Sequence, residues 1–521
     1  MNPSSLANMS RRGLLAAGAA AAAVGPALAQ APGLEVAVRQ GRLRGAMEDG
    51  VRVFKGVPYA QPPVGPLRFK APLPPAAWSG VRDALQFSAM PLQGAGGGDG
   101  IPNSTTPGED CLYLNVWAPT TPGPHPVLVF CYGGGNNGGG GSTPVYNGSR
   151  FARDGVIAIT INYRVGALGW VELGPHLPGY AGSGNNALRD IMASLQWVQQ
   201  NIAAFGGDPR QVTIGGVLAG SKNVMSLLAA PSAAGLFARA ITMSTSAHTT
   251  HTPEEADKVA KLFIDGHTGK AADLLTASPQ EILAAQRKVL QAYNRNSAFR
   301  TIVDGKLQPR PIMDAFRAGA SRNVPLLIGT TRDESASTLP RDFATRPFPI
   351  NQMELNSLDL SQINDMDLRY QRAFPTQSPG DRRRRLLHAE EYWISCTRVG
   401  DARAKLGAAT YMYRSDRVLK SGQFAGYAPS GSDIPLTFDT LDRGEVVATG
   451  ATVTAEDQAL AGIAHTAWVN FVKTGKPSAA GLPEWPIYEP TKRQTMILGY
   501  QPTLASDPMR EERVLWDDYF G

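Results

Sequence analysis

Cysteine and histidine are both scarce in this chain, whose 521 residues include 3 Cys and 7 His. The cysteines are Cys111, Cys131 and Cys396, and none lies at metal-site spacing from another cysteine or a histidine. The sequence therefore predicts no metal site, and no motif in it calls for another cofactor. Cys131 ends an apolar run, so we expect it to be a small buried hydrophobic side chain.

Long apolar runs and concentrated charge are also lacking. After the N-terminal segment no apolar run is long enough to span a bilayer, which predicts that there is no transmembrane segment. Lysine and arginine are dispersed except in the four-arginine run 382–385, which we expect to be a solvated helix face. The sequence therefore predicts no nucleic-acid partner. A hydrophobic content of 43% is typical of a globular protein with a substantial core.

The N-terminus has the pattern of a targeting segment. Two arginines in the run 10–15 precede a small-residue apolar stretch at 14–24, and Ala-Leu-Ala follows at 27–29. This order is typical of a twin-arginine export signal, whereas an alanine-rich disordered tail would not need it. We expect residues 1–29 to be removed, leaving a mature domain over 30–521 in the periplasm or outside a bacterial cell. Removal of Arg11 and Arg12 changes the net charge from +6 to +4.

Beyond residue 30, short β-branched runs alternate with longer helix-like segments. This alternation predicts an α/β protein whose mostly parallel sheet is covered by helices on both faces. Two polar stretches, 92–108 and 339–380, are rich in Gly, Pro or Asn, and we expect them to be surface excursions or lid-like insertions. The predicted strands are 127–131, 156–161, 212–214, 240–243, 326–328 and 410–413. The predicted helices are 186–202, 221–229, 256–264, 279–289 and 456–472.

One segment has the glycines of a nucleophile elbow without a nucleophile. The β-prone run 212–214 leads into Gly-Val-Leu-Ala-Gly at 216–220, and a helix-like segment follows. In the pattern G-x-S-x-G, glycines allow a sharp turn to lift a serine above the end of a sheet. The central position here is Leu218, whose side chain can neither attack a carbonyl nor release a proton.

Matching motifs over nearly all of the mature chain resemble those of the type-B carboxylesterases, a group of α/β-hydrolases that includes the cholinesterases. The resemblance implies the α/β-hydrolase fold and, at the level of the family, carboxylic ester hydrolysis. The family's cysteine bridge to the Glu-Asp-Cys motif is absent, because no cysteine precedes Cys111. The motifs are Phe-Lys-Gly-Val-Pro-Tyr-Ala (54–60), Pro-Leu-Arg-Phe-Lys (66–70), Glu-Asp-Cys-Leu-Tyr-Leu-Asn-Val-Trp (109–117), Ile-Asn-Tyr-Arg-Val-Gly (161–166), Ala-Trp-Val-Asn-Phe-Val-Lys-Thr-Gly (467–475) and Trp-Pro-Ile-Tyr (485–488).

The resemblance places substituted residues at two of the three triad positions. Leu218 stands at the nucleophile, and Ser430 stands at the base, inside the matching segment Ala-Pro-Ser-Gly-Ser-Asp-Ile-Pro-Leu (428–436). A serine has no pKa near neutrality and cannot shuttle the proton. Ser221 is one helical turn past the elbow, so we expect it to face away from the reaction centre.

Other histidines are poor replacements for the base. His248 and His251 follow the predicted strand 240–243 and are the best of the seven, although a solvated loop position is the simpler interpretation. His388 and His465 lie in helix-like segments, where we expect structural roles.

The remaining positions of the site are kept. Glu334 takes the acid position after the predicted strand 326–328, and we expect its partly buried carboxylate to find donors such as Ser430. The resemblance assigns the oxyanion-hole N–H groups to Gly134, Gly135 and Ala219. Tyr132 replaces the residue that precedes these glycines in the family, and the glycine-rich stretch 136–141 predicts a permissive loop.

Two classes of function follow. The first is an exported, non-catalytic protein that binds a small apolar or ester-like ligand or a partner. The second is an enzyme, either a carboxylic-ester hydrolase like the family or one of altered chemistry that uses Glu334, Tyr132 or His248.

Overall fold

The structure is a computed structural model that describes residues 33–94, 105–295, 297–337, 358–445 and 450–519. The predicted signal segment 1–29 lies outside the described residues. The strands are β1 (Glu35–Val38), β2 (Gly41–Arg44), β3 (Ala46–Glu48), β4 (Val51–Pro58), β5 (Val81–Asp83), β6 (Met90–Pro91), β7 (Pro107–Gly108), β8 (Tyr113–Ala118), β9 (His125–Cys131), β10 (Ile157–Ile161), β11 (Gly207–Val217), β12 (Arg239–Met243), β13 (Thr250–His251), β14 (Thr301–Ile302), β15 (Leu326–Thr331), β16 (Thr410–Ser415), β17 (Gln494–Leu498) and β18 (Thr503–Ser506).

Helices fill most of the connections between strands. A π-helical turn (Ala389–Trp393) joins α9 to α10. The helices are α1 (Ser149–Arg153), α2 (Gly166–Trp170), α3 (Asn186–Asn201), α4 (Ala219–Ala229), α5 (Pro253–Gly266), α6 (Pro279–Ala292), α7 (Ile312–Arg317), α8 (Leu360–Ala373), α9 (Pro379–His388), α10 (Ile394–Ala404), α11 (Ile434–Thr437), α12 (Ala455–Thr474) and α13 (Arg510–Leu515).

Eleven strands form the central sheet, in the order β18-β17-β16-β15-β12-β11-β9-β10-β8-β4-β3. The pairs from β17 to β10 are parallel, and the outer pairs are antiparallel. Strands β9, β10, β12 and β15 are buried almost throughout, as expected for a sheet with helices on both faces. This architecture is the α/β-hydrolase fold, which confirms the predicted fold class.

The predicted elements are confirmed with shifts at their ends. The run 212–214 is the centre of the longer strand β11, and the helix expected at 221–229 begins two residues earlier at Ala219. The carboxyl ends of β9, β11, β12, β15 and β16 meet at one edge of the sheet, because neighbouring parallel strands end on the same side. The loops that follow these strands therefore build the candidate site.

The interpretation of the arginine run 382–385 as a solvated face is wrong. Arg383 is buried, and the other three side chains are half-buried. Arg385 pairs with Glu512 and lies 3.9 Å from the centre of the Phe374 ring. An arginine side chain can pack against an aromatic ring while its guanidinium group pairs with a carboxylate. A run of arginines therefore does not by itself indicate an exposed helix face.

Part of the predicted insertion 339–380 is regular structure. Helix α8 begins with a capping box between Asp359 and Gln362 and buries Ile363, Met366 and Tyr370. Residues 339–357 of this insertion and 95–104 of the insertion 92–108 lie outside the described residues. None of the described helices is both long and apolar enough to cross a membrane.

A buried ion pair fixes the segment that follows β10. Arg164 donates from Nε and Nη2 to the two carboxylate oxygens of Asp190 on α3, at 2.8 and 2.7 Å. The two side chains are 2% and 0% exposed. The guanidinium also donates to the carbonyl of Lys70. Residues 162–166 are thereby held beside the end of β9, where they contact the candidate site.

We expect Asp190→Asn to destabilise the fold by about 3–5 kcal/mol, because removal of one partner leaves the Arg164 guanidinium buried and uncompensated. Urea denaturation followed by tryptophan fluorescence measures the change. Asp83→Asn is the matched control, since its ion pair with Arg44 is more than half exposed and should contribute less than about 1 kcal/mol. Equal losses in the two variants would contradict this account of the pair.

Candidate active site

Strand β11 ends in a strained turn at Leu218. This residue has φ 51° and ψ −119°, an uncommon conformation for a leucine, and α4 begins at the next residue. The Leu218 N–H donates to the carbonyl of Met243 at the end of β12, at 2.9 Å. A Cβ added to Gly216 would lie 2.6 Å from the backbone of Gly220, so the turn closes only around glycine. This is the geometry of a nucleophile elbow with leucine at its apex.

The Leu218 side chain lies against the next loop of the site. It is half-buried and packs on the main core, and a Cβ on Gly133 would lie 3.2 Å from its Cβ. Ser221 does not replace the missing hydroxyl. Its Oγ is fully buried and donates to the carbonyls of Leu218 and Ser244, at 2.6 and 3.1 Å. The Ser221 hydroxyl is therefore directed at backbone carbonyls and away from the apex of the elbow.

The loop after β9 is anchored by a pair of tyrosines. Tyr132 and Tyr163 stack with ring centres 4.3 Å apart, and each hydroxyl donates to the backbone carbonyl of the other residue at 2.7 Å. Both side chains are buried. Burial raises the pKa of the Tyr132 hydroxyl well above its usual range, so this group stays protonated and serves as a hydrogen-bond donor. Tyr132 thus has a structural role here, which the sequence did not indicate.

The glycine-rich stretch that follows is tightly cross-linked. Asn136 is buried, donates from Nδ2 to the carbonyl of Phe299 and accepts from Asn223 of α4. Gln93 exchanges two 2.9 Å hydrogen bonds with the backbone of Gly139. The sequence predicted a permissive loop, but side chains from distant segments hold it. Gly134 and Gly135 have φ of 113° and 63°, values that favour glycine.

The loop that carries Gly134 and Gly135 lies next to the elbow that carries Ala219. Ala219 is the first residue of α4, where backbone N–H groups lack helical acceptors. Gly133 touches Leu218, and Gly134 and Gly135 follow directly. Within the described residues, no backbone carbonyl accepts a hydrogen bond from Gly134 or Gly135. These donors can therefore serve an oxygen atom bound beside Leu218.

Glu334 and Ser430 are brought together at the end of β15. Asp333 bridges to the 428–433 segment, with its N–H donating to the carbonyl of Ala428 and its carboxylate accepting from the Ala428 N–H at 2.8 Å. Glu334 is 1% exposed and accepts from the N–H of Thr331 at 2.7 Å. The base and acid positions of the family are thus neighbours here.

Burial is the largest influence on the pKa of the Glu334 carboxyl. It raises the pKa of this carboxyl to about 7, and the nearby Asp433 contributes in the same direction. Hydrogen bonds from the hydroxyls of Ser244 and Ser430 and from the Thr331 N–H lower this pKa and partly offset the effect of burial. The site therefore holds a carboxyl group that changes its charge near neutral pH.

Sequence reasoning missed two further polar groups. Asp433 is buried, accepts from the hydroxyl of Tyr413 at 2.8 Å, and has its pKa raised by burial to about 6. Its place in the motif Ser-Asp-Ile-Pro was a usable signal. Lys222, one turn after Leu218 on α4, pairs with Glu391 of the π-helical turn. No local pattern in the sequence indicates that pair.

The interpretation of His251 as a solvated loop residue is wrong, because its side chain is buried, and His248 is half-buried. Burial, followed by repulsion from Arg398 and Arg317, lowers the pKa of His248 to about 4. His251 shares a 3.0 Å hydrogen bond with the carbonyl of Ala298. His388 is buried, and His465 lies between the carbonyl of Thr437 and the carboxylate of Asp154.

Metal ligands do not converge in the parts of the chain that the structure describes, where no group of three or more His, Cys, Asp or Glu side chains could hold an ion. The three cysteines are buried thiols without disulfide bonds. Burial raises the pKa of each thiol, so they stay protonated.

Glu334→Gln should change how stability depends on pH. Because the folded pKa of Glu334, about 7, lies above its ordinary value of 4.5, its contribution is full below pH 4.5 and is lost as pH rises through 7. The neutral amide avoids this loss, so the variant should gain about 1–3 kcal/mol over the wild type between pH 5 and 8. Urea titrations at both pH values measure the gain. Glu456→Gln, an exposed control, should follow the wild type, and a pH-independent difference for Glu334→Gln would refute the raised pKa.

Comparison with known proteins agrees with this geometry. The chain is 36% identical over 501 residues to para-nitrobenzyl esterase of Bacillus subtilis (strain 168), covering 92% of this chain and 97% of that protein. It is 32% identical to phenmedipham hydrolase of Pseudarthrobacter oxydans, over 91% of this chain and 97% of that protein. The crystal structure of the Geobacillus stearothermophilus carboxylesterase Est55 at pH 6.2 matches with a TM-score of 0.81 and 35% identity, over 93% of this chain and all of that one. The model of the carboxylesterase family matches residues 32–516. The chain therefore belongs to the carboxylesterase family.

Proposed function

We propose that this protein binds a small apolar or ester-like ligand beside Leu218 and does not hydrolyse it through an acyl-serine intermediate. The observation that carries this proposal is the leucine at the apex of the elbow, in the backbone conformation of the nucleophile. An acyl-transfer site needs a nucleophile and a base within hydrogen-bond reach of each other. Leu218 supplies no nucleophile, and Ser430 supplies no base.

The size of the expected catalytic loss supports this choice. Loss of the serine or the histidine of a triad lowers turnover by about 10⁶, and loss of the second adds little because the two act as a unit. About 10³ to 10⁴ over the reaction in water can remain from the oxyanion hole and from binding. The serine mechanism is therefore inaccessible to this site.

The features needed for binding are retained. The tyrosine pair and the contacts of Asn136 and Gln93 hold the loop after β9 in place. Its N–H groups and that of Ala219 can receive a carbonyl oxygen, and Leu218 offers apolar contact below it. Preorganised N–H donors can bind a carbonyl oxygen without the entropic cost of ordering the loop on binding.

The second candidate function is ester hydrolysis by another route. The relatives named above, an esterase and a hydrolase, support it at the level of the family. One observation favours Glu334 as the base for an attacking water, since its carboxyl has a pKa of about 7 and is partly ionised at neutral pH. Tyr132 and His248 are less suitable, because the Tyr132 hydroxyl donates to the carbonyl of Tyr163, and burial together with the charges of two arginines lowers the pKa of His248 to about 4.

Export is a further proposal. The family model begins at residue 32, so the arginine pair and the Ala-Leu-Ala sequence at 27–29 lie in a segment that precedes the matched domain. A twin-arginine signal there would deliver a folded protein to the periplasm. Mass spectrometry of the protein from the periplasmic fraction would identify cleavage after Ala29.

Ester turnover and covalent labelling separate the two candidate functions. We expect the purified protein to hydrolyse 4-nitrophenyl acetate no faster than its Glu334→Gln variant, and a fluorophosphonate probe to leave the intact mass unchanged, because the probe needs an activated serine. Turnover that disappears in Glu334→Gln would favour the hydrolase. Stoichiometric labelling at Ser221 or at any other serine would reveal a working nucleophile and overturn the proposal.

Restoration of the two missing groups tests whether the rest of the site is intact. Leu218→Ser and Ser430→His alone should stay at background, since each lacks the other. Together they should raise the hydrolysis of 4-nitrophenyl acetate by roughly 100-fold or more over either single variant, the usual size of a general-base contribution.

Adding Glu334→Gln to that double variant is the matched control, because it removes the group that orients the new imidazole. The triple variant should lose most of the gain. A double variant with a native circular dichroism spectrum and no activity would mean that Gly134, Gly135 and Ala219 do not form a working oxyanion hole.

A further inference from the structure

A second cleft lies apart from the elbow, between α7, α10 and the segment 490–493. Its volume is about 370 Å³, within the range of small-molecule sites. None of its lining residues belongs to the candidate active site. Its polar lining consists of four cations and one carboxylate, Arg317, Arg398, Lys405, Arg493 and Asp401.

The single carboxylate of the cleft, that of Asp401, already accepts hydrogen bonds from two side chains. Asp401 accepts from the hydroxyl of Tyr488 at 2.9 Å and from Nη2 of Arg493 at 3.2 Å. Lys405 has no ion-pair partner within the described residues and is exposed. The lining therefore carries a surplus of positive charge that faces the cavity.

Two arginines of the cleft have carboxylate partners, Arg317 with Asp314 at 3.1 Å and Arg493 with Asp401, whereas Arg398 is held mainly by neutral groups. Arg398 donates from Nη2 to the backbone carbonyls of Trp516 and Tyr519, and the carboxylate of Asp517 is 4.0 Å away. Nε of Arg493 is buried without a hydrogen-bond partner. Carbonyl acceptors fix the orientation of a guanidinium group without neutralising it, so the Arg398 guanidinium can still attract an anion.

The remaining part of the lining is apolar. Met313, Ala402, Leu406 and Pro490 form it, and Leu406 is 39% exposed although it is a large hydrophobic side chain. An inorganic anion would leave this surface in contact with water. A ligand with a hydrocarbon body would cover it.

We propose that this cleft binds an organic monocarboxylate, with the carboxylate among Arg317, Arg398, Arg493 and Lys405 and the apolar body against Met313 and Leu406. The carboxylate of Asp401 in the same lining repels a dianion such as a phosphate monoester more strongly than a monoanion. Guanidinium forks match the geometry of a carboxylate. The apolar lining selects against free phosphate.

The position of His248 supplies a reporter of binding. Its loop follows β12, and the neighbouring Ala247 N–H donates to the hydroxyl of Ser395 on α10 at 2.6 Å. Arg398 and Arg317 are the charges that act on the imidazole. An anion bound between these arginines should therefore shift the NMR signals of His248.

Calorimetry with benzoate, benzyl alcohol and inorganic phosphate tests the assignment. Benzoate should bind more tightly than both other compounds, since only benzoate has one negative charge and an apolar ring. The variant Arg317→Met/Lys405→Met should bind benzoate about tenfold more weakly, because both cations are lost. Lys306→Met, an exposed lysine outside the cleft, is the matched control and should not change affinity.

Equal binding of benzyl alcohol, or phosphate binding as tight as that of benzoate, would overturn the proposal. Unchanged affinity in the folded Arg317→Met/Lys405→Met variant would overturn it as well. The signals of His248, assigned by their loss in His248→Gln, should shift on addition of benzoate to the wild type and not to the double variant. A shift of equal size in both proteins would place the ligand elsewhere.

Discussion

The strained turn at Leu218 is the constraint around which the site is arranged. A non-glycine residue in this region of φ and ψ costs about 1–3 kcal/mol, which the surrounding structure must overcome. The hydrogen bond from Leu218 to Met243, the fit of Gly216 against Gly220, and the contact with Gly133 hold the turn closed. The start of α4 and the position of the neighbouring loop follow from this turn. The fold therefore keeps the elbow for structural reasons, even where its apex has no chemical role.

Two buried carboxyl groups lie at the same edge of the sheet as the elbow. Glu334 and Asp433 are both almost fully buried, and burial raises the pKa of each toward neutrality. Hydroxyl groups of Ser244 and Ser430 act on Glu334, and the hydroxyl of Tyr413 donates to Asp433. Such groups tolerate both the neutral and the ionised form, which allows a protonation equilibrium near pH 7.

Local patterns predicted the fold and the sequence positions of the site, because strand periodicity, glycine spacing and ordered motifs are properties of neighbouring residues. They located Leu218 at the turn, whereas the resemblance to the family implied that the 428–433 segment lies beside Glu334. They did not predict the stack of Tyr132 on Tyr163, the contact of Asn136 with Phe299, or the burial of Arg383. Each of these depends on a partner far away in the chain, and a single sequence taken alone contains no signal for such pairs. The prediction of a permissive loop at 136–141 failed for the same reason. Its glycines predict conformational flexibility, whereas hydrogen bonds to residues far away in the chain hold the loop in place.

The proposed binding of a carbonyl oxygen beside Leu218, without a nucleophile, has a specific physical consequence. In an active hydrolase the N–H donors are worth most when the carbonyl oxygen becomes negatively charged, because the interaction strengthens with developing charge. Without attack on the carbonyl, that charge never develops, and the same donors contribute only an ordinary hydrogen bond to the bound ligand. The apolar surface of Leu218 then supplies a larger share of the binding free energy than it could in the presence of a polar nucleophile. Affinity at this site should accordingly follow the apolar area of the ligand more closely than the reactivity of its ester, which is the opposite of the ranking expected from a hydrolase.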